Sequence, residues 1–111
     1  MSIETKHGSK KSDAVRFLED LVGGPLTLGG FLQAIREGEE ASQTEFARQL
    51  GISRSHLCDI ERGRKAVSVD RAARFARTLG YSESQFVRLA LQAMVEEAKL
   101  PFRVELAPLT S

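Results

Sequence analysis

Residues 43–63 read QTEFARQLGISRSHLCDIERG, a pattern of two short helices joined by a tight turn. Ser42 can cap the first helix and Glu45, three residues on, can answer it, a capping-box signature just ahead of the apolar positions Phe46, Ala47 and Leu50. Gly51 supplies the permissive backbone that ends a helix. Beyond the turn Ser53 is a second N-cap candidate, Leu57 and Ile60 fall three apart on one face, and Gly63 closes the element. This leaves Arg54, Ser55, Cys58, Asp59 and Arg62 for the outer surface of the second helix. Short polar side chains and a guanidinium at a helix N-terminus suit base edges and phosphates in a major groove, so the segment reads as a helix-turn-helix directed at DNA.

Outward from this motif the apolar periodicity continues. Upstream, Thr27 caps a helix in which Leu28, Phe31, Leu32 and Ile35 recur at helical spacing until Gly38 stops it. Before it, residues 13–22 predict a short helix with Val15, Leu18, Leu21 and Val22 on one side, broken by Gly23-Gly24-Pro25, and residues 1–12 read as a flexible basic arm. Downstream, Ser68 opens a helix with a narrow stripe of Val69, Ala72, Ala73, Ala76 and Leu79, ended by Gly80. Ser82 and Gln85 repeat the capping-box pattern ahead of Phe86, Leu89, Ala90, Ala93 and Met94, a stripe running to about Lys99. In PFRVELA, residues 101–107, the period changes to two: Phe102, Val104 and Leu106 alternate with Arg103 and Glu105, which predicts one short β-strand. With no second strand in the chain, the expectation is antiparallel pairing of two subunits centred on Val104, making Phe102, Val104 and Leu106 the dimerisation residues. Augmentation of a partner's sheet edge is the competing reading. The expected organisation is thus an arm at 1–12, a helical domain at 13–100 and a strand with its tail at 101–111.

A net charge of +1 conceals a strong asymmetry. Residues 13–45 carry two Arg against seven acids, for −5, whereas residues 46–77 carry Arg48, Arg54, Arg62, Arg64, Lys65, Arg71, Arg74 and Arg77 against Asp59, Glu61 and Asp70, for +5. The basic block coincides with the motif and the helix after it, an electrostatic footprint for phosphates, since neutralising them releases counterions. For Arg71, Arg74 and Arg77 a solvated helix surface is the plain alternative.

Other chemistries find little support. With 41% hydrophobic and 28% charged residues in 111, the composition is that of one small soluble domain. No apolar run approaches the ~20 residues of a membrane span, and nothing at the N-terminus resembles an export signal, so no membrane association and a cytoplasmic location are expected. One cysteine, Cys58, and two histidines, His7 and His56, cannot assemble a metal cluster or proton-transfer pair, so neither cofactor nor metal is expected, and no nucleophile–base pair or phosphate-cradling glycine loop suggests an enzyme. Phe31, Phe46, Phe75 and Phe86 are read as core and not as base-stacking platforms. Glu61, amid four basic residues, is read as a structural ion-pair partner.

The run SQTEFARQLGISRSHLCDIERGRKAVSVDRAARFARTLGY resembles the DNA-binding domain of the Cro/CI (XRE) repressor family over about residues 27–81. The likeness rests on Gln43 opening the first motif helix, small Ala47 within it, Gly51 in the turn, Leu57 and Ile60 in the second helix, and the exit Ile60-Glu61-Arg62-Gly63-Arg64. It implies an all-α, lambda-repressor-like domain of about five helices, to which the periodicity adds an extra N-terminal helix and the C-terminal strand. It also implies that Gln43 meets a phosphate at a helix N-terminus, where the dipole favours the contact. Ser53, Arg54, Ser55 and Asp59 are the base-reading candidates, and Gln43, Arg62, Arg64 and Lys65 the phosphate-binding ones. Arg54 can take a guanine edge or a phosphate; Asp59 can accept from cytosine or orient Arg54 or Arg62. The expected partner is double-stranded DNA and the expected function a dimeric autorepressor on a pseudo-palindromic operator. The alternative is an antitoxin of the HigA type that also silences a toxin protein.

Overall fold

The computed structural model describes residues 26–110, and within them five helices follow one another: α1 (Leu28–Gly38), α2 (Gln43–Leu50), α3 (Arg54–Glu61), α4 (Val69–Leu79) and α5 (Glu83–Glu97). The expected arm and helix of residues 1–22 lie outside the described residues. Each helix starts where a hydroxyl can replace a missing backbone partner. Thr27, Ser42, Ser53, Ser68 and Ser82 stand in extended conformation at the five N-caps, and their side-chain oxygens accept from Gly30, Glu45, His56, Arg71 and Gln85 amides. At α2 the box is closed in both directions, the Ser42 amide donating to Glu45 Oε1 at 3.0 Å, and this bond holds the Glu45 carboxyl below the usual carboxylate range.

All five helices also end alike, in a left-handed residue whose successor's amide reaches back five residues. Ile52 donates to the Ala47 carbonyl, Arg64 to Asp59 and Tyr81 to Ala76, after Gly51, Gly63 and Gly80 at φ of 76°, 77° and 78°. At the other two ends the left-handed position falls to Glu40 (φ 57°) and Lys99 (φ 61°), with Ala41 donating to Arg36 and Leu100 to Val95. Gly38, expected to stop α1, is its last residue, and the reversal is made two positions later.

Burial follows the stripes. Phe31, Phe46, Phe75 and Phe86 are at most 1% exposed and form one core with Leu32, Leu57 and Ile60, each such side chain contributing roughly 1.5–3 kcal/mol by leaving water. Ile52 and Tyr81, the residues just past two of the turns, pack on this core, so each turn is fixed by an apolar contact as well as by its hydrogen bonds. Tyr81 also meets Phe31 edge-on, with ring centroids 5.5 Å apart. Helix α1 crosses α3 at Gly29: a Cβ at that position would run into the Ile60 carbonyl, so only glycine admits this approach. The stripes reach less far than their periodicity suggests, for Val69 is 38% and Met94 59% exposed.

The C-terminal β-strand is not formed. Residues 101–108 belong to no helix and no ladder, and the described residues contain no strand. Their backbone groups find a side chain instead. Gln92 on α5 donates from Nε2 to the Phe102 carbonyl at 3.0 Å and accepts at Oε1 from the Val104 amide at 2.7 Å. One primary amide thereby serves both groups, as a neighbouring peptide unit would. The backbone groups that a strand partner would have taken are thus met by α5 itself. Val104 is half-buried, while Phe102 (63%) and Leu106 (42%) stay exposed.

Candidate nucleic-acid interface

The second motif helix, α3, is amphipathic in the sense a groove-reading helix requires. Leu57 and Ile60 are buried at 0% and 2%, fastening its back to the core, whereas Arg54 and Ser55 in its first turn are exposed. Ser53 is exposed too, but its Oγ is already accepting from the His56 amide at 3.0 Å, which leaves the hydroxyl proton for an outside acceptor. Asp59, one turn on, is half-buried. Its carboxylate pairs with neither Arg54 nor Arg62: Oδ1 lies 3.5 Å from Arg64 Nη1. The chain reversal at Gly63 explains this choice, since the Arg64 and Lys65 amides both donate to the Asp59 carbonyl and bring Arg64 back over it. Arg62, Arg64 and Lys65 are exposed along the α3 exit.

Gln43 opens α2 as its first residue, half-buried, and donates from Nε2 to Glu61 Oε1 at 3.1 Å. Glu61 is the hub of a network that composition gave little hint of. Arg36 Nε and Nη2 donate to its two carboxylate oxygens at 2.8 and 3.1 Å, with only 3% of the Glu61 side chain and 14% of that of Arg36 exposed. The same guanidinium donates to the Ala41 carbonyl at 3.1 Å. This paired, desolvated carboxylate raises the Arg36 pKa further still, so the guanidinium stays charged at every accessible pH. It joins the end of α1, the start of α2 and the end of α3, and so sets the angle at which both motif helices meet the outside. The signal available in the sequence was slight: Arg36 is the one cation among residues 26–45.

His56 is half-buried, with Nε2 3.5 Å from Arg71 Nη1 on α4. Burial first, and then the charges of Arg71 and Lys65, push its pKa down, which favours the neutral ring as an acceptor for Arg71. Arg77 spends part of its charge on Glu83 at 3.2 Å. The basic block therefore divides: on α4 some cations serve the domain itself, while those of the α3 exit face outward. Cys58 is half-buried with a free thiol.

A buried-backed helix that presents exposed polar and basic groups after a tight turn defines a DNA-binding helix-turn-helix domain. The family model described as a helix-turn-helix domain matches residues 27–89. The chain belongs to this family, of the Cro/CI (XRE) type. No curated protein and no solved structure matches it. Among the described residues no helix is long and apolar enough to cross a membrane.

Proposed function

We propose that the protein is a sequence-specific transcriptional repressor that binds a pseudo-palindromic operator as a homodimer in the cytoplasm and represses its own gene. The observation that carries this reading is the first turn of α3, exposed and polar at Arg54 and Ser55 while Glu61 at the other end of the helix is locked to α1 and α2. A helix held so firmly behind a short polar front is suited to reading base edges. Arg54, Ser55 and Asp59 read bases, with the Ser53 hydroxyl beside them. Arg62, Arg64, Lys65 and the first-turn amides of α2 at Gln43 hold phosphates. The Asp59–Arg64 pair opens as Arg64 moves to a phosphate, which frees the Asp59 carboxylate to accept from a cytosine amino group. Support for a dimer comes from Met94, Leu100, Phe102 and Leu106, large apolar side chains exposed on α5 and the segment after it, with Val104 among them.

The test is binding to DNA from the protein's own promoter across a salt series. Lys65→Ala or Arg62→Ala should weaken specific and random DNA alike and reduce the salt slope by about one unit, whereas Arg54→Ala or Ser55→Ala should relax preference at one base position. A change of base preference in Lys65→Ala would overturn this division of roles. Co-purification of a neighbouring gene's product, with loss of that protein's toxicity, would identify an antitoxin instead.

A further inference from the structure

Among the described residues, a cavity of about 430 Å³ opens between the α3–α4 loop and the second half of α5, beside the start of α1. That volume lies within the ~300–1,000 Å³ of small-molecule sites. Leu28, Ile60, Val67 and Ala90 form its apolar floor. Its flanks are low because Gly63 and Ala66 on the loop and Ala93 on α5 carry at most a methyl group. The charges are divided between the two walls: Arg64 and Lys65 stand on the loop, Glu97 on α5. Neither loop cation is consumed by the fold. The Lys65 side chain makes no hydrogen bond or ion pair among the described residues, and Arg64, with 61% of its side chain exposed, meets Asp59 only at 3.5 Å. A surface pair of that length holds little energy and yields to a better-placed anion.

We infer that this groove binds a small organic acid with an alkyl body, its carboxylate on Arg64 and Lys65 and its chain over the floor. A guanidinium beside an ammonium suits a carboxylate, whereas Glu97 repels one, so the head is drawn to the loop wall and kept off α5. The floor contributes by taking alkyl surface out of water, roughly fourfold in affinity for each buried methylene. Arg64 and Lys65 are also the cations that the repressor reading gives to DNA phosphates. On that reading the acid and DNA compete for them, and the acid acts as an inducer.

Titration of the full chain with octanoate, followed by amide NMR shifts, tests the site. The shifts are expected to concentrate at Ala66, Val67, Ala90 and Ala93. Binding should be at least about tenfold tighter than for hexanoate, which lacks two methylenes, and at least about tenfold tighter than for octylamine, which carries the opposite charge. Ala93→Leu, which fills the groove from a half-exposed position on α5, should lower octanoate affinity at least about tenfold and leave the ligand-free protein's affinity for promoter DNA unchanged. Ala66→Leu should do the same to octanoate from the loop wall, should Ala93→Leu disturb folding. Saturating octanoate should weaken promoter binding at least about threefold relative to acetate at the same ionic strength. No saturable shifts at these residues, equal affinity for octylamine, no gain from hexanoate to octanoate, or octanoate binding that survives both variants would each overturn the site. DNA binding by the ligand-free protein is read first. Its absence would overturn the repressor reading and leave the site to the shifts alone, whereas bound octanoate with undiminished DNA affinity would overturn the inducer role.

Discussion

The ion pair of Arg36 with Glu61 and the amide of Gln92 each join segments distant in sequence, 25 residues apart in the first case and 10 to 12 in the second. The first is almost shut off from water. The second is half in it, tying a tail whose Phe102 and Leu106 remain exposed. The difference teaches how firmly each region is held: a desolvated, fully bonded charge pair fixes the angle of the helices it joins, whereas one solvated side-chain amide only tethers the segment beside it.

Arg36→Ala should break the comparison most severely, because it strands the Glu61 carboxylate in a dry site. A loss of about 3–5 kcal/mol in urea unfolding is expected, and replacing both members by apolar residues, Arg36→Met with Glu61→Leu, should recover most of it. An equal loss in the double variant would show that packing, and not the charge pair, holds the motif. Gln92→Ala should cost below about 1 kcal/mol overall, yet speed exchange of the Val104 amide at least tenfold, since only the tail is released.

A finer probe uses the two helix ends closed without glycine. Relief of left-handed strain, partly offset by the freer unfolded chain, should make Glu40→Gly stabilising by about 0.5–1 kcal/mol. Lys99→Gly, at the edge of the loosely held tail, should register mainly as local protection. The smallest effect is a pH dependence. The His56 pKa is lowered on folding, so the unfolded chain takes up a proton first as pH falls. The stability tied to the neutral ring is complete above the ordinary value of 6.5 and declines below it toward the lower folded value. His56→Gln should flatten that part of the stability–pH curve, measured as Tm in a buffer series.

What was legible in the sequence is legible because it is local. The five hydroxyl caps, the capping box of Ser42 with Glu45, and the reversals at Gly51, Gly63 and Gly80 are interactions over three to five residues, so side-chain chemistry and spacing alone place them. The core phenylalanines were legible through periodicity, until the stripe overran at Met94, because a helix that extends past the elements covering it keeps its period but loses its cover.

What escaped was every pairing that folding had to bring together. The sequence offers Arg54 and Arg62 on the same helix as partners for Asp59, but the turn at Gly63 brings Arg64 to it instead. The alternation of segment 101–107 predicts a strand that does not form, because alternation says nothing of what bonds the backbone. Gln92 does so only because α5 runs beside it. Among the described residues, the sequence by itself determined five capped helices, with a polar, basic one after a glycine turn. Only the tertiary structure decided that Arg36, Gln43 and Glu61 would meet, since the strength of that contact comes from exclusion of water, which no local pattern contains.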